Sequence, residues 1–294
     1  MSQTVQLTTP SVTSVKSTSV SIARNPKALK CLRSGNTNAS LIFTHGSGGT
    51  IFDSAMVNFT AGFTAVLSML AFQGNVNLAS RVKGFQTVIA HEKPDGSAFD
   101  GALGGRSMGA RAAVMAAKEA TLAKPIRFVL VSYPLQAPKG GLRDQILFDL
   151  PAYAEVLFII GSKDKMCNLG LLEEVRRKMR ARSWLVVVRG ADHGMIVTPK
   201  KATAATGEVM GRIAAEWLKA RDESRTIFEI EFDEQKGEVE CRGWQQDPSV
   251  SAAAEGTLAK GRAKEEQANK VKAGTSTKRG RSTRSSKRKR EVAE

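Results

Sequence analysis

Cysteine, histidine and aromatic residues are scarce in this chain of 294 residues, which has three Cys, three His and 6% Phe, Trp and Tyr. Cys31, Cys167 and Cys241 lie far apart with no C-x-x-C pair. That spacing excludes a zinc-type Cys cluster and a disulfide framework, and it implies a reducing compartment, cytosol or nucleus. Cys167 reads as a small buried apolar residue. No apolar run approaches the roughly 20 residues of a membrane-spanning helix. The opening MSQTVQLTTPSVTSV has no apolar signal core, so secretion is not expected.

Acidic residues are missing before Asp53, whereas Lys16, Arg24, Lys27, Lys30 and Arg33 precede it. Mitochondrial transit peptides share this composition. The plainer expectation is that residues 1–38, rich in Ser and Thr, form a loose arm that adds an edge strand to the domain. The net charge of +16 is unevenly spread: residues 255–294 hold 13 Lys and Arg against 5 Glu, or +8. The remaining +8 says little about a substrate.

From Ser40 onward short apolar runs alternate with helical periods. Candidate strands are Leu41–Phe43, Ala65–Phe72, Phe99–Leu103, Ile126–Val131, Val156–Ile160 and Leu185–Val188. Helical spacing links Leu78, Val82, Phe85 and Ile89, then Leu172, Val175 and Met179, then Val209, Ile213 and Trp217. An alanine-rich helix is expected over 110–123. Continuous rather than alternating apolar strands, interleaved with helices, predict a mostly parallel sheet covered on both faces over residues 39–222. Residues 226–232 alternate with period 2, and 238–244 can return after the Gln235-Lys236-Gly237 turn. Residues 223–248 are therefore expected to form a small β-hairpin appendage, with Phe228, Ile230, Phe232 and Trp244 docked on the core. Residues 249–294, rich in Ala, Gly, Ser and Lys, cannot build a core and are expected to be a disordered basic tail.

Gly105-Arg106-Ser107-Met108-Gly109 is a G-x-S-x-G sequence between a strand candidate and the alanine-rich helix. The chemistry needs this spacing. Serine sits on a strained strand-to-helix turn, and flanking glycines let the helix and the adjacent strand approach. Serine at neutral pH needs a base and an acid to orient that base. Val156–Ile160 runs into Gly161-Ser162-Lys163-Asp164, and Leu185–Val188 runs into Gly190-Ala191-Asp192-His193. The order Ser, Asp, His is that of an α/β-hydrolase fold, and it nominates Ser107, Asp164 and His193 as catalytic. Asp192 is a rival acid, but neighbouring side chains diverge. His45 reads as a residue shaping its loop, and His91 as a charge near a helix C-terminus. An oxyanion hole is expected from the Met108 amide and from Ser47 or Gly48 in His45-Gly46-Ser47-Gly48-Gly49. The stretch between Val131 and Val156 leaves little room for a lid, so an open, shallow site is expected.

Gly104-Gly105-Arg106-Ser107-Met108-Gly109 with Arg111, Ser132-Tyr133-Pro134-Leu135, Leu142-Arg143-Asp144, Leu147-Phe148, Gly161-Ser162, Met166-Cys167 and Asp192-His193 form a long ordered series. It resembles the α/β-hydrolase-like domain shared by a testis-expressed protein and regulatory subunit 3 of the NSL histone acetyltransferase complex, a group itself similar to dienelactone hydrolases. The resemblance spans about residues 39–222. It implies a cofactor-free, metal-free fold with Ser107, Asp164 and His193 at the triad positions.

Two functions remain open from the residues: a serine hydrolase of an ester, thioester or related acyl bond, and a catalytically weak interaction module on the same fold, nuclear and chromatin-associated. The clusters Lys278-Arg279-Gly280-Arg281 and Lys287-Arg288-Lys289-Arg290 resemble a bipartite import signal. They point to an import receptor, to loose nucleic-acid contact that salt would weaken, or to a solvated tail. No aromatic follows Trp244, so base stacking is excluded there. Expected partners are thus a small acyl substrate, a receptor or nucleic acid at 278–290, or a protein complex, with no membrane, in the nucleus and/or cytoplasm.

Overall fold

A computed structural model describes residues 17–24, 27–35 and 38–247. Ten strands form one sheet in the order β1-β2-β4-β3-β5-β6-β7-β8-β9-β10. They are β1 Ser17–Ile22, β2 Leu29–Ser34, β3 Leu41–Thr44, β4 Met69–Phe72, β5 Ala102–Arg106, β6 Ile126–Val131, β7 Ala154–Gly161, β8 Arg182–Val188, β9 Ile227–Asp233 and β10 Glu238–Gln245. Strands β3 to β9 pair parallel, and antiparallel pairs occur only at the two margins. The sheet is thus mostly parallel. All eight residues of β7 are buried, as expected of a strand covered on both sides, which explains its unbroken apolar run.

Helices α1 Ser54–Thr64 and α6 Ala202–Lys219 cover one face, with Phe59, Phe63, Ile213 and Trp217 in the core there. Helices α2 Leu78–Glu92, α3 Met108–Ala116 and α5 Leu169–Lys178 cover the other through Phe85, Val88, Ala112, Ala113 and Leu172. Between β6 and β7 the only helix is the single turn α4 Gln145–Phe148, so no helical lid rises from this segment.

Several elements differ from the sequence expectation. The run Ala65–Phe72 divides: Val66 and Leu67 N–H groups close the end of α1 on the Phe63 carbonyl at 3.1 and 3.0 Å, and the strand begins only at Met69. Helix α1 itself has no clear sequence signal. Its Thr and Gly content is poor for an isolated helix, and packing on α6 supplies the stability. Helix α3 stops at Ala116, and the segment after it returns to pair Leu122 with Phe99 just ahead of β5. Phe99 itself pairs with Leu122, and a bend at Gly101 separates it from β5, which begins at Ala102.

The two ends of the domain also differ. The N-terminal arm supplies two strands rather than one, and β2 pairs with β4 from Cys31↔Phe72 to Ser34↔Met69. Residues 226–245 are not an appendage. Strand β9 pairs parallel with β8 from Leu185↔Ile227 to Val188↔Ile230, so the hairpin completes the main sheet. Phe228 and Ile230 are buried, and the Phe228 and Trp244 rings meet at 5.2 Å. The basic clusters at 278–290, like residues 1–16, lie outside the described residues.

Candidate active site

Strand β5 delivers the chain to Ser107, whose φ of 53° and ψ of −114° place it in a conformation that residues with a Cβ rarely adopt. The turn needs bare backbone on both sides. A Cβ on Gly105 would lie 2.5 Å from the Gly109 carbonyl carbon and 2.8 Å from the Thr44 oxygen, and one on Gly109 would lie 2.7 Å from the His45 oxygen. The G-x-S-x-G spacing is therefore a packing requirement between β5, α3 and the end of β3. Ser132 and Met195 share the positive-φ conformation, at 46° and 60°. Among the described residues, Ser107 and Ser132 directly follow β5 and β6, and Met195 lies in the loop after β8 that carries His193. Such strain persists only where surrounding structure over-determines it, which is common at functional sites.

The three nominated side chains meet at that edge. Ser107 Oγ lies 3.0 Å from His193 Nε2. His193 Nδ1 lies 2.9 Å from each carboxylate oxygen of Asp164. The Asp164 side chain is fully buried, while that of His193 is 25% exposed, so the imidazole remains open to the outside. Asp164 also accepts from the Met166 amide at 2.8 Å. Asp192 has other work: its Oδ1 accepts from the Gly194 and Ile196 amides at 2.8 and 3.0 Å, closing the turn that carries His193.

The loop after β3 borders Ser107. A Cβ on Gly46 would sit 3.5 Å from the Ser107 Cβ. His45 is buried and structural. Its Nδ1 bonds to the Gly46 carbonyl at 2.7 Å, and its Nε2 accepts from the Gly74 amide at 3.0 Å. Burial first, and the nearby Arg81 charge second, hold its pKa below the usual histidine value.

Arg81 was not singled out by the sequence. Its buried guanidinium donates to the His45 and Asn75 carbonyls, and burial holds it down at about 10. A signal existed: Arg81 is four residues before Phe85 and so shares its inward helix face. Cys167 is 1% exposed, and burial pushes its thiol up to about 12, as befits an inert core residue. His91 lies in the last turn of α2, away from the site.

A family model described as an alpha/beta hydrolase domain matches residues 78–221. Among solved structures, the chain is similar to Est1E from Butyrivibrio proteoclasticus, with 14% identity, TM-score 0.52, and coverage of 69% of this chain and 99% of that one. It is similar to a predicted CIB-like hydrolase from Thermoplasma acidophilum, with 16% identity, TM-score 0.51, and coverage of 70% and 99%. Dienelactone hydrolase from Anabaena variabilis matches at 17% identity and TM-score 0.52, over 70% and 97%. The chain has the α/β-hydrolase fold.

Within this α/β-hydrolase fold the loops carrying Asp164 and His193 are adjacent and well tied. Ser162 N–H donates to the Val188 carbonyl, Lys163 N–H to the Ala191 carbonyl, and Gly190 N–H to Ser162 Oγ, each at 2.9 Å. These bonds bind the turn carrying Asp164 to the turn carrying His193. The pocket beside Asp164 is lined by Gln136, Ser162, Lys165, Cys167 and Asn168 and has a volume near 340 Å³. It lies beside Asp164, and Ser107 is not among its lining residues.

Proposed function

We propose that the protein is a serine hydrolase that cleaves an ester, thioester or related acyl bond. The observation that carries this reading is the continuous series from Ser107 Oγ through the His193 ring to the buried Asp164 carboxylate, at 3.0 and 2.9 Å. In the proposed reaction Ser107 Oγ attacks the acyl carbon as His193 Nε2 takes its proton. Asp164 holds the Nδ1 proton and stabilises the imidazolium. The amides of Met108 and of Ser47 or Gly48 stabilise the oxyanion. Collapse of the tetrahedral adduct transfers the His193 proton to the leaving oxygen or sulfur and leaves an acyl-Ser107. Water, activated by the same imidazole, then releases the acid and regenerates the serine.

A fluorophosphonate probe tests this directly. The wild-type protein is expected to be labelled and to hydrolyse p-nitrophenyl acetate, and Ser107→Ala to lose both. A folded wild-type protein that does neither would reject the hydrolase reading. It would leave the interaction module, which the ordered similarity to the NSL subunit 3 and testis-expressed domain favours. On either reading the clusters at 278–290 are proposed to direct nuclear import. Unchanged nuclear distribution after deletion of residues 278–294 would remove that role.

A further inference from the structure

In the sheet, β8 stands three positions from β5, with β6 and β7 between them. At about 4.8 Å per strand that is roughly 14 Å. The loop after β8 must therefore reach back across two strands to bring His193 onto Ser107. On the acid's side this loop is secured by the backbone bonds from Ser162 and Lys163 and by the Gly190 amide on Ser162 Oγ. On the nucleophile's side, among the described residues, two bonds join it to β5 and its turn. One is the Ser107–His193 side-chain contact itself. The other runs from Arg106 Nη2 to the carbonyl oxygen of His193, at 2.7 Å.

Resting on the hydrolase reading, we infer that Arg106 is a positioning residue. By holding the His193 carbonyl, it fixes the base at bonding distance from the serine that follows Arg106 in the chain. The anchor and the nucleophile share one backbone turn, so any displacement of Ser107 carries the clamp on His193 with it. The bond is short and charge-assisted, the stronger class of hydrogen bond.

The surroundings keep the guanidinium in place. A Cβ on Gly46 would meet Arg106 Nη1 at 2.8 Å, so the absence of a side chain at 46 leaves room for it. Asp53, Asp164 and Asp192 attract its charge. No described carboxylate forms an ion pair with it. The Nε atom is buried without a partner. Half-burying a guanidinium on so few bonds costs stability, and the return is precise placement of the imidazole.

Two measurements test the inference. The first is turnover of p-nitrophenyl acetate, a neutral ester, and the rate of fluorophosphonate labelling, in full-length wild-type, Arg106→Met and Arg106→Lys proteins. Misplacing a catalytic group by about 1 Å costs on the order of 100-fold. Arg106→Met is expected to lower kcat and the labelling rate by about 10- to 100-fold with little change in KM, and Arg106→Lys to recover part of the loss. Wild-type kcat in Arg106→Met, or a loss confined to KM, would overturn the inference. Arg106→Gln takes the place of the Met variant if that protein does not fold, with the same expected and overturning results.

The second measurement is the imidazole ¹H–¹⁵N spectrum of protein labelled at its three histidines, with His193 assigned by His193→Gln. The His193 Nδ1–H signal is expected to shift or broaden in Arg106→Met while that of His45 stays in place. An unchanged His193 signal would overturn the inference. A wild-type protein without turnover or labelling refutes the hydrolase reading alone, because the imidazole spectrum still decides the role of Arg106.

Discussion

His193 Nδ1 stands equidistant, at 2.9 Å, from both carboxylate oxygens of Asp164. A carboxylate in that position accepts the Nδ1 proton and leaves Nε2 free to accept from Ser107. Asp164→Asn would present an amide donor there and stabilise the other tautomer. On the hydrolase reading, kcat for p-nitrophenyl acetate is expected to fall by roughly 10³- to 10⁴-fold with the fold unchanged. Asp192→Asn is expected to lose far less, because Asp192 serves turn amides rather than the imidazole. Kinetics of the two variants side by side decide which aspartate is the acid.

The seam between α1 and α6 depends on backbone contact. A Cβ on Gly211 would overlap the Phe59 carbonyl and lie 2.6 Å from the Phe63 amide nitrogen. Gly211→Ala gains helix propensity of up to about 1 kcal/mol, but overpacking costs about 1–3 kcal/mol or more. Rigid backbone on both sides makes the second effect dominant. Urea denaturation is expected to show a net loss of stability, and a gain would mean that the helices separate without cost.

Acid should weaken the fold partly through His45. Its native pKa lies below the usual histidine value, from burial and then from Arg81. As pH falls below about 6.5, the unfolded chain takes up a proton that the native residue does not. Stability contributed by neutral His45 is therefore full above that pH and declines as pH drops toward the native value. In His45→Gln, the slope of unfolding free energy against pH between 7 and 5 is expected to be shallower than in the wild type. Equal slopes would show that His45 does not contribute.

Removing the chain from residue 226 onward would expose the backbone edge of β8, to which β9 is hydrogen-bonded, together with the apolar side chains beneath Phe228 and Ile230. A long unpaired apolar edge invites intermolecular pairing. The truncated protein is expected to aggregate on expression, whereas truncation at 248 is expected to stay soluble. Size-exclusion chromatography of the two distinguishes a completing hairpin from a dispensable one.

Patterns local in the chain were legible without coordinates. The runs Ile126–Val131, Val156–Ile160 and Leu185–Val188 lie within β6, β7 and β8, because strands buried on both faces need unbroken apolar residues. Helices α1 and α4 and the divided run Ala65–Phe72 were not legible, since packing against distant elements, not local preference, sets them. The period-2 alternation of residues 226–232 correctly marks a strand with one buried face, yet it carries no information about which strand it will pair with.

The sequence by itself determined the alternation of the central strands β5 to β8 with helices α3 and α5, the glycine-flanked turn at Ser107 and the turns carrying Asp164 and His193, because each depends on residues close together in the chain. Tertiary structure alone decided that the hairpin joins the sheet beside β8 and that Arg106 reaches His193. Those outcomes depend on contacts across tens of residues, where the direction of a side chain is set by the packing around it and no spacing in the chain encodes the distance.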